Sequence, residues 1–310
     1  MEEGYSPTHF LLAGHIVIDK IIDSKNENTT RESLGGALSY SSICLRSLGC
    51  GTEIITRIGE DFPLEYSLFL RDKGGIDVEK WRTRGYKTTS YEIDRSVDPR
   101  KLRLASKCKD LDIRDFSLYA GNYYRDYALI VGTVAGEISL ELLERISKEF
   151  DLVFIDSQGF VRTFEYDGRV SMNSGLNISS LSGVDFLKAE VDEILAWTGS
   201  AQKDEAIQQL STFVPNILTT SGPGSVDFYE NGELTLSATP PSATVADTTG
   251  AGDIMLSSFA ARYSDTRDAK DSLTFSMAAA SLAIRKIGIE KAILTKSEIL
   301  DEMKHVKVND

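Results

Sequence analysis

Residues 246–260 read Ala-Asp-Thr-Thr-Gly-Ala-Gly-Asp-Ile-Met-Leu-Ser-Ser-Phe-Ala, and the rest of the chain is organised around them. The first half is turn chemistry. Asp247, Thr248 and Thr249 favour caps, while Gly250 and Gly252 admit backbone conformations that other residues avoid. The second half starts a helix, because Ile254, Met255, Phe259 and Tyr263 recur near helical spacing. A glycine turn feeding a helix start aims N–H groups and the positive end of the helix dipole at one spot, which suits an anion. Asp253 does not fit a simple anion site, since a carboxylate would repel a bound phosphate. It does fit a site in which Asp253 faces an acceptor hydroxyl and takes its proton. Gly250, Ala251 and Gly252 would then hold the group being transferred. The plainer alternative is a helix cap with Asp253 as an ordinary first-turn acid.

No Gly-Lys-Ser/Thr follows, so the stretch is not a Walker A loop, and with a single Gly-x-Gly it is not a dinucleotide fingerprint. The string from Asp247 to Asp253 instead resembles the second signature of the PfkB/ribokinase family of carbohydrate kinases. It lies in the last quarter of the chain, as it does in that family. The order upstream is similar as well. An apolar run from Phe10 ends in Asp19, Gly35-Gly36 opens a helix expected to run to about Leu48, and Gly59-Glu60-Asp61 closes the strand expected to follow.

The resemblance implies a ribokinase-like α/β fold, with a central, mostly parallel sheet flanked by helices and a small β lid. The alternation of apolar strands with helices from Tyr127 onward implies the same layering by itself: strands over 128–132, 152–156, 184–189 and 217–220, and a Ser-capped helix from Ser139 to Phe150. One domain over 1–310 is the simplest organisation, with the lid from about 19–34 and 86–105. Only sixteen positions separate Asp19 from Gly35. That is short for two lid strands, so a small lid is expected and a lid-mediated dimer is disfavoured; monomer and homodimer both stay open.

By the same resemblance, Asp253 is the base and Gly250, Ala251 and Gly252 form the anion hole. Asp19, Gly35 and Gly36 meet the acceptor; the alternatives are a surface acid in a turn and a glycine turn packed on the sheet. Thr220, Gly222 and Gly224 form a turn against the nucleotide phosphates, with Lys188 and Glu190 beside them. Residues 276–283 would flank the adenine, although a small-residue stripe also serves close helix packing. Glu193 takes the place of a glutamate that organises magnesium, while Glu190 stands where the family has asparagine. The plain reading of Glu190 and Glu193 is an acidic, solvated helix start. Expected cofactors are ATP and Mg2+; whether a monovalent cation steadies the loops near the anion hole is left open.

Within the family, Tyr40, Gln158 and Arg162 resemble the myo-inositol kinase branch, because ribokinase and nucleoside kinases usually carry asparagine at the place of Tyr40. Gln158 and Arg162 could equally belong to a loop tied down by its own hydrogen bonds. A nucleoside, ketodeoxygluconate, ribose or fructose kinase is the alternative within the family. Outside it stands a non-catalytic sugar- or nucleotide-binding regulator.

Composition agrees with a soluble globular protein with a large core: 310 residues, 41% hydrophobic, 26% charged and a formal net charge of -13. So acidic a chain is a poor match for nucleic acid or for an anionic membrane surface. The acidic N-terminal residues lack an apolar signal core, and no window approaches the roughly 18 apolar residues of a membrane span. A cytoplasmic location is expected. Cys44, Cys50 and Cys108 lack metal-ligand spacing and read as reduced, buried thiols. His9, His15 and His305 form no recognisable triad or metal set.

Overall fold

The computed structural model describes residues 8–23, 29–94, 101–119, 126–220 and 224–309. Its centre is a nine-stranded sheet. Six strands run parallel in the order Gly51–Ile55, His9–Ala13, Tyr127–Ile130, Leu152–Asp156, Phe186–Glu190 and Asn216–Thr220. Val226–Glu230, Glu233–Thr239 and Lys307–Asn309 extend it antiparallel. The parallel strands are near-continuous apolar runs because helices cover both of their faces. The expected strands from 128 to 220 and the Ser139-capped helix Leu140–Glu149 are all present, with shifts of a residue or two at their ends.

The run from Phe10 to Asp19 is not one strand. It breaks at Gly14, and the second part, Val17–Asp23, joins a separate four-stranded sheet. A Cβ at Gly14 would stand 2.5 Å from the carbonyl oxygen of Val131, so only glycine passes there, and His15 and Ile16 cross fully buried between the two sheets. Asp19 therefore lies within a strand of the second sheet, not at the end of a core strand.

Strand pairing beyond Asp19 is also more extensive than the sixteen positions to Gly35 suggested. Thr29–Gly35 pairs with Val17–Asp23 through seven positions, and Thr89–Asp94 and Lys101–Ser106 complete the sheet. At about 3.3 Å per residue, seven positions already make a strand of ordinary length. Leu34 and Gly35 thus belong to a strand, and the helix begins only at Ala37, running to Ser47 after a Gly36 cap. Nor does Gly59 close the strand after that helix. Gly51–Ile55 ends earlier, and Ile58–Gly59 pairs with Arg82–Thr83. Asp61 ties this corner to the second sheet, accepting hydrogen bonds from the Thr88 amide (2.7 Å) and hydroxyl (2.8 Å).

The helix Ala251–Thr266, which carries Asp253, is seated by aromatic packing. Phe154 and Phe186 stack at 4.6 Å on adjacent strands, Phe259 meets Phe186 at 5.5 Å, and Tyr263 stacks on Phe259 at 5.9 Å. Such ring pairs add about 0.5–1.5 kcal/mol each beyond their buried area. Ser257 and Ser258 return their hydroxyls to the carbonyls of Asp253 and Ile254, both at 2.6 Å, so small polar residues pass through the core satisfied. Among the described residues, no helix is long and apolar enough to cross a membrane.

Candidate active site

Gly250 caps the Ala251–Thr266 helix in the left-handed conformation, at φ 77°. The Ala251 amide turns back to the Thr248 carbonyl at 3.2 Å, and the Gly250 carbonyl accepts from the Ile254 amide at 3.0 Å. The first turn of a helix leaves N–H groups without intrahelical partners, and here they belong to a stretch with almost no side chain to shield them. Tyr40, on the first turn of Ala37–Ser47, lies over this cap. A Cβ at Gly250 would stand 2.7 Å from the tyrosine ring. Gly250→Ala should therefore cost about 1–2 kcal/mol for the conformation and about 1–3 kcal/mol for the displaced ring. Urea melts would show that loss. In a double-mutant cycle with Tyr40→Ala the two losses should add to less than their sum, because the clash needs both side chains. Strict additivity would show that the ring does not constrain the cap.

On the other side of the turn stands Lys188. Its Nζ would lie 3.2 Å from a Cβ at Gly252, and it donates to Asp156 Oδ2 at 2.8 Å. Asp156 and Lys188 are register partners on adjacent strands, and both are buried. Burial alone would strip the ammonium of its proton, but Asp156 and Glu193 outweigh it and hold the Lys188 pKa above the ordinary value. Burial pushes the Asp156 carboxyl up, with Lys188 opposing.

Asp253 is half-buried, and its carboxyl is pushed up to about 6, first by burial and then by the negative charge of Asp156. Gln158 reaches it with a long amide contact of 3.5 Å. Glu193 is buried and already occupied. Its Oε2 accepts from the Ser157 hydroxyl (2.5 Å) and the Glu190 amide (2.9 Å), and Arg162 lies 3.4 Å from its Oε1. Burial works against its charge, but Lys188 and Arg162 hold its carboxyl below the usual range. Glu190 is exposed, and with Glu193 it forms a reciprocal cap on Val191–Thr198.

The chain therefore gathers Tyr40, Gly250, Ala251, Gly252, Asp253, Gln158 and Lys188 around one turn, with Arg162 and Glu193 one layer away. Asp19, Gly35 and Gly36 form a second group. The buried Asp19 carboxylate occupies the space a Cβ at Gly35 would need, at 2.0 Å, and a Cβ at Gly36 would meet Val17 at 2.8 Å. Thr220 pairs with Glu190 across neighbouring strand ends, and Gly224 follows it. Gly222 lies outside the described residues. Sequence reasoning placed the segment 156–162 near the substrate but named only Gln158 and Arg162 from it as site residues, and it did not single out Lys291. The available signal for Asp156 was an acid ending one apolar run beside a lysine inside the next.

These layers, a large mostly parallel sheet flanked by helices with a small antiparallel sheet beside it, define a ribokinase-like α/β fold. A solved pyrophosphate-dependent kinase in the ribokinase family, complexed with a pyrophosphate analog and myo-inositol, superposes with a TM-score of 0.76 at 22% identity, covering 94% of this chain and 99% of that one. Arabidopsis thaliana ribokinase complexed with ribose and ATP superposes with a TM-score of 0.72 at 19% identity, covering 97% and 99%. In sequence, the signature described as pfkB family carbohydrate kinase matches residues 167–296. Inositol 3-kinase of Arabidopsis thaliana is 27% identical over 314 residues, covering 96% of this chain and 80% of that one. Residues 167–296 therefore match the pfkB family carbohydrate kinase domain, and the chain is a phosphotransferase acting on an alcohol group.

Proposed function

We propose that the chain transfers the γ-phosphoryl group of ATP to a hydroxyl of a cyclic polyol, with myo-inositol as the leading acceptor. The observation that carries this reading is Asp253, a carboxylate of raised pKa at the mouth of the Gly250–Gly252 turn. Its position supports proton removal from the acceptor oxygen as that oxygen bonds to phosphorus and the bond to the leaving ADP oxygen breaks. A pKa of about 6 makes it a stronger base than a free aspartate near about 3.9, yet leaves it ionised at neutral pH. The helix-start amides and the Lys188 ammonium face the same spot and would take up the charge that spreads over the transferred group.

Magnesium, an oxygen-seeking ion, would supply positive charge beside the nucleotide phosphates when bound. Glu193 is the residue offered to its water shell; both of its oxygens already have protein partners, which suits a contact through water more than direct ligation. Thr220 and Gly224 would meet the nucleotide. The four-stranded sheet would act as the lid, with Asp19 holding acceptor hydroxyls from that side and Gln158 and Arg162 from the other.

The choice of a cyclic polyol rests on Tyr40 over the anion turn and on Gln158 and Arg162 beyond Leu152–Asp156. The inositol kinase names among the chain's relatives support it. The test is turnover on myo-inositol, ribose, fructose, ketodeoxygluconate, adenosine and cytidine, each with ATP, ADP and pyrophosphate as donors. Myo-inositol with ATP should dominate, and a different preferred acceptor would overturn the assignment while leaving the kinase intact. Nucleotide binding without turnover on any acceptor would favour a binding protein.

A further inference from the structure

Asp247 opens the anion-hole loop and is held on several sides. Its amide and that of Ala246 both donate to the Ile284 carbonyl, at 3.2 and 2.8 Å, just past the end of Ala269–Ala283. Its Oδ1 accepts from the Thr249 amide at 3.0 Å. Its backbone carbonyl and its Oδ2 face a single group, the ammonium of Lys291, at 2.9 and 3.2 Å. Lys291 belongs to the short turn Ile289–Ala292 and is 1% exposed.

An ammonium so deep is kept only where charge and hydrogen bonds compensate for lost water, and here a carboxylate and a carbonyl do so. Phosphoryl transfer as described makes no use of Lys291. A carboxylate oxygen and a carbonyl oxygen converging on one point are also the donors a small inorganic cation takes. That point is filled by the chain's own charge, so a second cation beside Asp247 would be repelled.

We propose that Lys291 is a built-in monovalent cation. It clamps the loop ahead of Gly250 to the Ile289–Ala292 turn, so the enzyme neither needs nor admits a free potassium or ammonium ion beside Asp247. Lys291 is then a positioning residue, acting through Asp247 on the Gly250–Asp253 turn. The effect on turnover rests on the kinase function proposed above; the effect on melting does not.

The experiment compares the parent and Lys291→Ala in potassium, ammonium and choline chloride at equal ionic strength, reading melting temperature without substrates and turnover with them. The parent should melt and turn over alike in all three salts. Lys291→Ala should lose at least about tenfold in turnover in choline and melt lower. Potassium or ammonium should restore most of both, since a vacated site filled a hundredfold over its dissociation constant raises the melting temperature by about 5 °C. Three results would overturn the proposal. One is a parent that melts higher in potassium than in choline by that amount. Another is a variant that keeps the parent's turnover in choline, and the third is a loss that no cation moves. If Lys291→Ala does not fold, the parent's salt series still decides. If no acceptor is ever turned over, the melting series does.

Discussion

Asp253→Asn should lower kcat by about a hundredfold or more and, at neutral pH, make the protein harder to unfold. The amide keeps the size of the side chain and an oxygen for the Gln158 contact, but it cannot take a proton. The stability gain follows from the direction of the pKa shift. The Asp253 carboxyl titrates at about 6 in the folded chain, and near about 3.9 in an unfolded one. Between those values the folded state holds the proton that the unfolded state has released, so stability falls as pH rises from about 4 to 6 and the deficit stays above that.

At about 1.4 kcal/mol per pKa unit, and allowing for partial exposure, Asn should recover about 1–3 kcal/mol at pH 7.5 and almost nothing at pH 4. Urea melts at the two pH values measure this. The parent's kcat/KM should fall tenfold per unit below about pH 6, and an acid limb near pH 4 would contradict the shift. A fall in kcat of less than about tenfold, with the fold intact, would remove Asp253 as the base.

Lys188→Met should be the most damaging change to stability. It leaves Asp156 fully buried beside Glu193 and Asp253 with no cation between them. Breaking a buried pair from one side costs about 3–5 kcal/mol, far more than the pair contributes against an apolar replacement. The same change removes the ammonium beside Gly252, so turnover should fall at least about tenfold. Adding Asp156→Leu separates the two roles. The double variant should regain most of the lost stability in urea melts, because both buried charges are gone, but not the turnover. If turnover returns with stability, Lys188 serves the strand pair alone.

The glycine turn at the start of Ala251–Thr266 could be read from sequence because its geometry demands particular residues. A helix cap in the left-handed conformation, pressed under an aromatic ring, leaves glycine at position 250. The layered sheet was equally open, since parallel strands buried on both faces read as plain apolar runs. The break at Gly14 was hidden by the same property. Apart from Gly14 and the buried His15, Phe10 to Ile18 stays apolar across the passage from one sheet to the other, so hydrophobicity marks no clear boundary. The strand Thr29–Gly35 left a weaker mark, because Thr30, Arg31 and Glu32 are exposed and no apolar alternation runs through them. Asp156–Lys188 and Asp247–Lys291 are pairings between distant segments, and no local periodicity announces them.

Gly36 alone separates the strand Thr29–Gly35 from the helix that carries Tyr40. A one-residue joint gives the four-stranded sheet little freedom to swing independently. Movement of that sheet must either pivot at Gly36 or drag the start of the Tyr40 helix, and with it the ring resting on Gly250. The Asp19 group and the Gly250 turn are therefore mechanically geared, and a change that loosens the joint should be felt at both.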